Sequence, residues 1–253
     1  MSFLRIYISI CFFLFGICVG SFLNVVAFRV PKGESIVTGP SHCMTCGHRL
    51  AWYELIPVLS FLLQGGKCRS CGTRLSPQYP LVEAANGVAW VGIYLLKGMS
   101  WDTLIGFGLV SCLIALSLID ARTMEIPVGL NIFIAALGVF RIATDPAHWL
   151  TYLIGGAAVS VPLLIILFAT GGAGIGGGDV KLMAAAGLVL GWKCIILAFL
   201  LACILGSVIH MIRMKFFHAG RQLAMGPYLS LGIMIAFLWG DSLIAWYFGM
   251  MGL

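Results

Sequence analysis

Charge is the scarcest property of this sequence. Only 9% of its 253 residues are charged, whereas 61% are hydrophobic. A soluble domain has about 25% charged residues and about half apolar ones. The composition therefore excludes a soluble fold and predicts an all-α protein that crosses a membrane several times. The sequence also lacks heptad repeats and basic clusters interleaved with aromatic residues, so we expect no coiled coil and no nucleic-acid partner.

Two common hydrolase motifs are missing as well. The chain has no Gly-x-Ser-x-Gly sequence, which presents a serine nucleophile, and no His-Glu-x-x-His sequence, which holds a catalytic zinc ion. It has nine Asp and Glu residues in total. Any acid–base chemistry must therefore depend on a small set of carboxylates.

Eight apolar stretches are candidates for membrane helices, because a span needs about 20 mostly apolar residues. They cover 6–28, 81–96, 103–120, 127–143, 149–169, 180–191, 194–213 and 225–248. The sixth stretch is short, and is either a half-helix or joins the seventh in a pair bent at Gly191. The first stretch is longer than the apolar part of a signal peptide, about 7–15 residues, and has no small-residue cleavage site. We expect it to be retained as a helix.

The basic residues predict the orientation of these helices. The only long polar segment, 29–80, carries six of the fifteen Lys and Arg residues, and the positive-inside rule places it in the cytoplasm. Eight spans then put eleven basic residues inside and four outside. The inside set beyond the long segment is Arg122, Lys181, Arg213, Lys215 and Arg221; the outside set is Arg5, Lys97, Arg141 and Lys193.

Two Cys-x-x-Cys-Gly sequences lie in the long polar segment. Cys43 and Cys46 form the first pair, Cys68 and Cys71 the second, with 21 residues between the pairs. Four thiolates complete a closed tetrahedral zinc site, which is structural because no ligand position remains for water. The alternative is a redox pair of dithiols, which a cytoplasmic location disfavours. The pattern thus predicts a structural zinc site.

Two aspartates stand where apolar stretches end or begin. Asp120 ends the third stretch, and Asp179 follows Gly176-Gly177-Gly178 and precedes the sixth. The predicted topology puts both on the cytoplasmic side. Two carboxylates that share a proton and a water can hydrolyse an amide, because their mutual repulsion keeps one of them protonated. The pattern is compatible with an aspartate-dyad enzyme.

Both aspartates could equally have a structural or a transport role. Asp179 is suited to the first turn of a helix, where the dipole and free N–H groups favour an anion. Asp120 lies at a helix C-terminus, where the dipole disfavours it, and Arg122 is a possible partner. A transporter that uses the same acids as an ion path is a further alternative. Glu83, just inside the second stretch, is a weaker candidate for a functional acid.

Six motifs in the same order along the chain resemble those of the type IV prepilin peptidases, the leader peptidase and N-methyltransferase family of bacterial membranes. They are Gly20-Ser21-Phe22-Leu23-Asn24 with Arg29-Val30-Pro31, the two cysteine pairs, Tyr79-Pro80-Leu81-Val82-Glu83, Asp120 with Ile126-Pro127, Gly176-Gly177-Gly178-Asp179, and Gly226-Pro227-Tyr228-Leu229. Two departures are Val128, where the family often has an acid, and Met44, where it often has proline.

The resemblance implies an aspartic protease in the bacterial cytoplasmic membrane that cleaves prepilins or pseudopilins after a glycine. Asp120 and Asp179 would be its catalytic pair, and Gly176 and Gly178 belong to its GxGD motif. Residues 1–97 would support N-methylation from S-adenosylmethionine, and residues 98–253 would form the peptidase. No glycine-rich cofactor fingerprint is present, so the sequence does not identify the methyl-donor site. The substrates and membrane lipid are the only partners that it predicts, and the oligomeric state is not predicted.

Overall fold

The computed structural model describes residues 3–172, 174–217 and 223–252, and this part of the chain is helical apart from its loops. Within it there is no β-strand, although two isolated bridges join His42 to Arg49 and Lys67 to Arg74. The chain divides into two compact units, Met1–Met99 and Ser100–Leu253. Arg221, one of the basic residues used to predict orientation, lies outside the described residues.

Unit 1 contains two long helices separated by the cysteine-rich segment. The helices are α1 (Phe3–Arg29), the short α2 (Leu59–Leu63) and α3 (Gln78–Lys97), with 3-10 turns at Val30–Lys32 and Trp52–Leu55. Unit 2 contains the other seven. These are α4 (Trp101–Thr123), α5 (Val128–Thr144), α6 (Trp149–Ala158), α7 (Ser160–Ala169), α8 (Gly177–Leu190), α9 (Trp192–Phe217) and α10 (Gly226–Met250), with a 3-10 turn at Pro146–His148.

Each of the eight apolar stretches is helical, and the all-α prediction is confirmed. The fifth stretch is broken at Val159 into α6 and α7. The sixth and seventh are α8 and α9, which meet at Gly191 with a φ of 78°, the bent-pair alternative. Among the described residues, five segments are long and apolar enough to cross a membrane. They are Phe3–Lys32, Trp101–Thr123, Pro146–Ala169, Trp192–Phe216 and Gly226–Met250. At 14 residues, α8 extends only about 21 Å, short of the roughly 30 Å of hydrocarbon.

Two glycines and an amide side chain hold α1 against α3. The Cα atoms of Gly16 and Gly87 face each other so closely that a Cβ on Gly16 would lie 2.7 Å from Cα of Gly87. The amide of Asn86 donates to the carbonyl of Gly16 at 2.7 Å. Membrane helices associate through close backbone approach and interhelical hydrogen bonds, because lipid gives them no hydrophobic drive to pack. Both kinds of contact are present between α1 and α3.

In unit 2, α8 lies at the centre and packs against α5, α6, α7, α9 and α10. Leu182, Met183 and Ala186 of α8 are completely buried. The crossing of α8 with α6 depends on Gly187 and Gly155, whose backbones touch. This arrangement holds the first turn of α8 in a fixed position within the unit.

Gly187→Ala should destabilise unit 2 by about 1–3 kcal/mol, because its methyl group would overlap the carbonyl oxygen of Gly155 and force α6 from α8. Thermal unfolding in detergent would measure the effect. Gly249→Ala on α10 is the control, since its Cβ would meet no atom within 4 Å. Equal unfolding midpoints for the two variants would contradict close packing at Gly187.

Candidate functional site

Asp120 is a buried carboxylate in the last turn of α4, with 4% of its surface exposed. Its Oδ2 atom accepts a hydrogen bond from the backbone N–H of Gly226 at 2.7 Å. Gly226 is the first residue of α10, so this N–H is one of the amides that a helix start leaves unpaired. The positive end of α10 thus offsets the unfavourable C-terminus of α4. Arg122, the partner considered from the sequence, has an exposed side chain.

Asp179 lies in the first turn of α8 and is partly buried. The backbone N–H of Gly176, the residue that precedes α8, hydrogen-bonds to the carboxyl of Asp179. Asp179 therefore also has the capping contact that its place in the first turn suggests. A Cβ on Gly176 would lie 3.1 Å from Oδ2 of Asp179, and a Cβ on Gly178 would lie 2.9 Å from Cβ of Ile126. The glycines therefore leave room for the carboxylate on one side and for the segment that follows α4 on the other.

The structure brings the two predicted aspartates to the same site. The contact of Gly178 with Ile126 joins the start of α8 to the loop after Asp120. The carboxyls of Asp120 and Asp179 are close enough to interact electrostatically. One of two such neighbouring carboxyls can stay protonated while the other is ionised. Two carboxyls in such different states can supply an acid and a base, which is the pair of groups that amide hydrolysis needs.

Gly226 belongs to this site, but the sequence alone does not assign it to the site. In the sequence it is marked only as part of the motif Gly226-Pro227-Tyr228-Leu229. Pro227 in the first turn is typical of a helix start, and a helix start is where a carboxylate finds free amides. The motif thus indicates an anion-binding helix end, although not which anion it would bind.

The four cysteines of unit 1 form one cluster, with all four sulfur atoms within 4.8 Å of one another. Sγ of Cys43 lies 3.9 Å from Sγ of Cys71, and Sγ of Cys46 lies 4.0 Å from Sγ of Cys68. A tetrahedral site with metal–sulfur bonds of about 2.3 Å places its sulfurs about 3.8 Å apart. A disulfide would need about 2.05 Å. The cluster can therefore hold a metal ion.

Two similar turns build this cluster. The amides of Gly47 and Gly72 each donate at 2.9 Å to the carbonyl of the first cysteine in their pair, and both glycines have a φ of 71°. That conformation is accessible to glycine without strain. Hydrogen bonds from Thr73 lower the pKa of Cys71 to about 6, which favours the thiolate form that binds metals.

A cavity of about 430 Å³ lies in unit 1, beside the cysteine cluster. Asn24 and Glu83 line it from the two long helices, Glu54 from the loop, and Cys43 and Cys68 from the turns. Atoms Oδ1 of Asn24 and Oε1 of Glu54 are buried and accept no hydrogen bond from the described residues. Small-molecule sites have this size and a few convergent polar groups. The sequence indicates Glu83 only weakly and does not indicate the cavity.

The chain is similar to known proteins over nearly its whole length. Residues 14–96 match the bacterial peptidase A24 N-terminal domain, and residues 107–211 match the type IV leader peptidase family. The chain is 34% identical to the prepilin leader peptidase/N-methyltransferase of Bacillus subtilis, covering 94% of this chain and 97% of that protein. The proteins of the same name from Aeromonas salmonicida and Pseudomonas aeruginosa are 32% and 31% identical, over 96% and 94% of this chain and 94% and 92% of theirs.

No solved structure matches the chain. The family assignment therefore depends on the sequence matches, which include both halves of the chain and agree with the six motifs. The chain belongs to the type IV leader peptidase family and is a membrane peptidase.

Proposed function

We propose that the protein removes the leader peptide of type IV prepilins or pseudopilins, after a glycine, with Asp120 and Asp179 as the catalytic pair. The observation that carries this proposal is the pairing itself: two carboxyls from α4 and α8, each at a helix end, are brought together by the contact of Gly178 with Ile126. One ionised carboxylate takes the proton of the attacking water. The other, protonated, polarises the scissile carbonyl.

The orientation follows from the basic residues. We place both aspartates and the cysteine cluster on the cytoplasmic side of the bacterial inner membrane, with eight helices embedded in it. A prepilin changes there from a charged leader to an apolar helix, so its cleavage site would lie at the depth of the two carboxyls. The open space around Gly177, where a Cβ would meet no atom within 4 Å, would admit an extended substrate backbone.

We further propose that residues 1–97 methylate the new amino terminus and that residues 98–253 perform the cleavage. The relatives are named as N-methyltransferases as well as leader peptidases, which supports a methyl donor such as S-adenosylmethionine. The cavity of unit 1 has a suitable volume, and Oε1 of Glu54, which accepts no hydrogen bond from the described residues, suits a ligand with cationic and hydroxyl groups. Such a donor supplies an electrophilic methyl group on a sulfonium.

Zinc is the ion that we propose for the four thiols. Four sulfur ligands at these spacings favour zinc, and leave no position for water. Its role would be structural, because the segment between α1 and α3 is too short to bury a core of its own. The ion would then define one wall of the cavity through Cys43 and Cys68.

Mass spectrometry of a co-expressed pilin precursor tests these proposals together. The precursor should lose its leader and gain the mass of one methyl group when this protein is present, and stay intact in cells that lack it. Leader loss without the methyl group would remove the methyltransferase part. Persistent leaders on several different precursors would overturn the peptidase part.

Gly226→Ala should slow leader cleavage by about 10²-fold, because its Cβ would lie 2.7 Å from Oδ2 of Asp120 and displace that carboxyl. Initial rates with purified enzyme and precursor would measure the effect. Gly206→Ala, on the facing helix α9, is the control, since its nearest neighbour would be at an ordinary 3.5 Å. A normal rate for Gly226→Ala would show that Asp120 needs no exact placement.

A further inference from the structure

Glu83 is a buried carboxylate, with 7% of its surface exposed. The proposed peptidase chemistry does not use it. It lies in the second turn of α3 and lines the cavity of unit 1. Its Oε2 atom accepts the backbone N–H of Val58 at 2.7 Å, and Ser21 of α1 also hydrogen-bonds to it. These donors hold the carboxyl at the cavity wall.

The backbone at Val58 is strained. This β-branched residue has a φ of 63°, and the amide of Leu59 reaches back to the carbonyl of Pro57 at 2.6 Å, which makes a tight γ-turn. Non-glycine residues rarely adopt such a conformation, and it persists where surrounding contacts enforce it. The hydrogen bond to Glu83 is one such contact.

Asn24 presents a second acceptor to the same cavity. Its amide nitrogen donates to the carbonyls of Gly20 and Tyr79, at 3.4 and 3.3 Å. Since only the nitrogen can donate to two carbonyls, the side-chain oxygen must be the remaining group. That oxygen accepts no hydrogen bond from the part of the chain that the structure describes, on a residue with only 3% of its surface exposed. A buried acceptor without a donor is costly, which indicates a ligand donor at this position.

A carboxylate and an amide oxygen that line the same cavity suit a group with several N–H donors and a positive charge. The other charged or titratable side chains that line the cavity include Arg29, Lys32, Glu34, His42, Glu54 and Arg74. Arg29 already donates to the carbonyls of Ser35, Thr38, Gly39 and Pro40. The donors of its guanidinium are therefore engaged by the loop.

We infer that Glu83 and Asn24 form the subsite that receives the α-amino group of the cleaved pilin for methylation. This inference rests on the proposed methyltransferase function of unit 1. An α-amino group has a pKa of about 7.7–8.0 and is mostly protonated at pH 7. In this form it has three donors but no free electron pair, and it cannot be alkylated.

Glu83 removes this obstacle by taking one proton. The N–H bond breaks, an O–H bond forms on the carboxylate, and the electron pair stays on the nitrogen. Asn24 accepts from one of the two remaining N–H groups and so keeps the nitrogen in place. The proton later leaves the carboxyl to solvent, which restores the base.

Glu83→Gln tests the inference, because glutamine keeps an acceptor oxygen for Val58 and loses only the base. Methylation of processed pilin should fall about 10²-fold at pH 7 and recover most of its rate near pH 9, where the amine is already neutral. Leader cleavage should be unchanged. Asp241→Asn, which removes an exposed carboxylate that does not line the cavity, should methylate normally at both pH values.

A loss of methylation that is equal at all pH values would assign Glu83 a structural role and overturn the inference, as would a normal rate for Glu83→Gln. Cleavage without any methylation by the wild type would remove the methyltransferase proposal, and this inference with it. Those outcomes are distinguishable, because the wild type is measured first.

Peptide binding gives a second measurement that needs no methyl donor. A peptide with the first residues of a mature pilin should bind the wild type about tenfold more tightly with a free amino terminus than with an acetylated one. Glu83→Gln should lose this preference. An equal preference in both proteins would overturn the inference.

Discussion

Asp120→Asn and Asp179→Asn should each reduce leader cleavage on the order of 10³-fold or more, since each removes one of the two groups that move protons. The substitution keeps the size of the side chain. In Asp120→Asn the amide oxygen can still accept the N–H of Gly226, so the end of α10 stays in place. The loss is therefore expected in the rate and not in the fold.

Single-turnover cleavage of a purified precursor is the appropriate measurement, with thermal unfolding of each variant beside it. Asp241→Asn is a matched control, because Asp241 is an exposed aspartate of the same unit, on α10. Cleavage by Asp179→Asn at the wild-type rate would mean that the two carboxyls do not act as a pair. Equal loss in Asp241→Asn would point to a general effect of removing acids.

Cys68→Ser should abolish zinc binding and unfold the segment between α1 and α3. Cys68 is buried, with 4% of its surface exposed, and its turn supports half of the cluster. Structural zinc contributes about 10–16 kcal/mol of binding free energy to small domains. Few other interactions stabilise so short a segment, so its order should be lost with the metal.

Two measurements check this expectation. Elemental analysis should give one zinc per wild-type chain and none in the variant, and limited proteolysis should cut the variant within 33–77. Cys18→Ser is the control: Cys18 is an exposed thiol on α1, outside the cluster, and its loss should change neither result. Full zinc content in Cys68→Ser would exclude the four-thiol site.

Much of this fold can be predicted from the sequence because the membrane restricts which backbone structures are possible. In lipid, a single segment can pair its own backbone N–H and C=O groups only by forming a helix. Each apolar run therefore predicts a helix. The cysteine turns are readable for a similar local reason, because Cys-x-x-Cys-Gly specifies the turn and its ligands together. Asp120 and Asp179 stand out as charges at the ends of apolar runs.

The features that the sequence does not predict depend on contacts between distant residues. The break at Val159 is an exception with a local cause, because Pro162 in the first turn of α7 has no N–H for the carbonyl of Ala158. Val58 is a valine in a conformation that usually needs glycine, so its turn is invisible to residue preferences. Asn24 is part of a motif, but its unpaired oxygen results from how α1 and α3 pack. The packing of distant residues determines these details, and a single sequence does not show that packing.

The hydrogen bond between Asp120 and Gly226 also has a consequence for biosynthesis. The two residues are 106 positions apart, and Gly226 opens the last helix. Asp120 and Asp179 are both translated before Gly226, so the amide that holds Asp120 is made after both carboxyls. The proposed site is therefore incomplete in any chain that has not yet formed the start of α10.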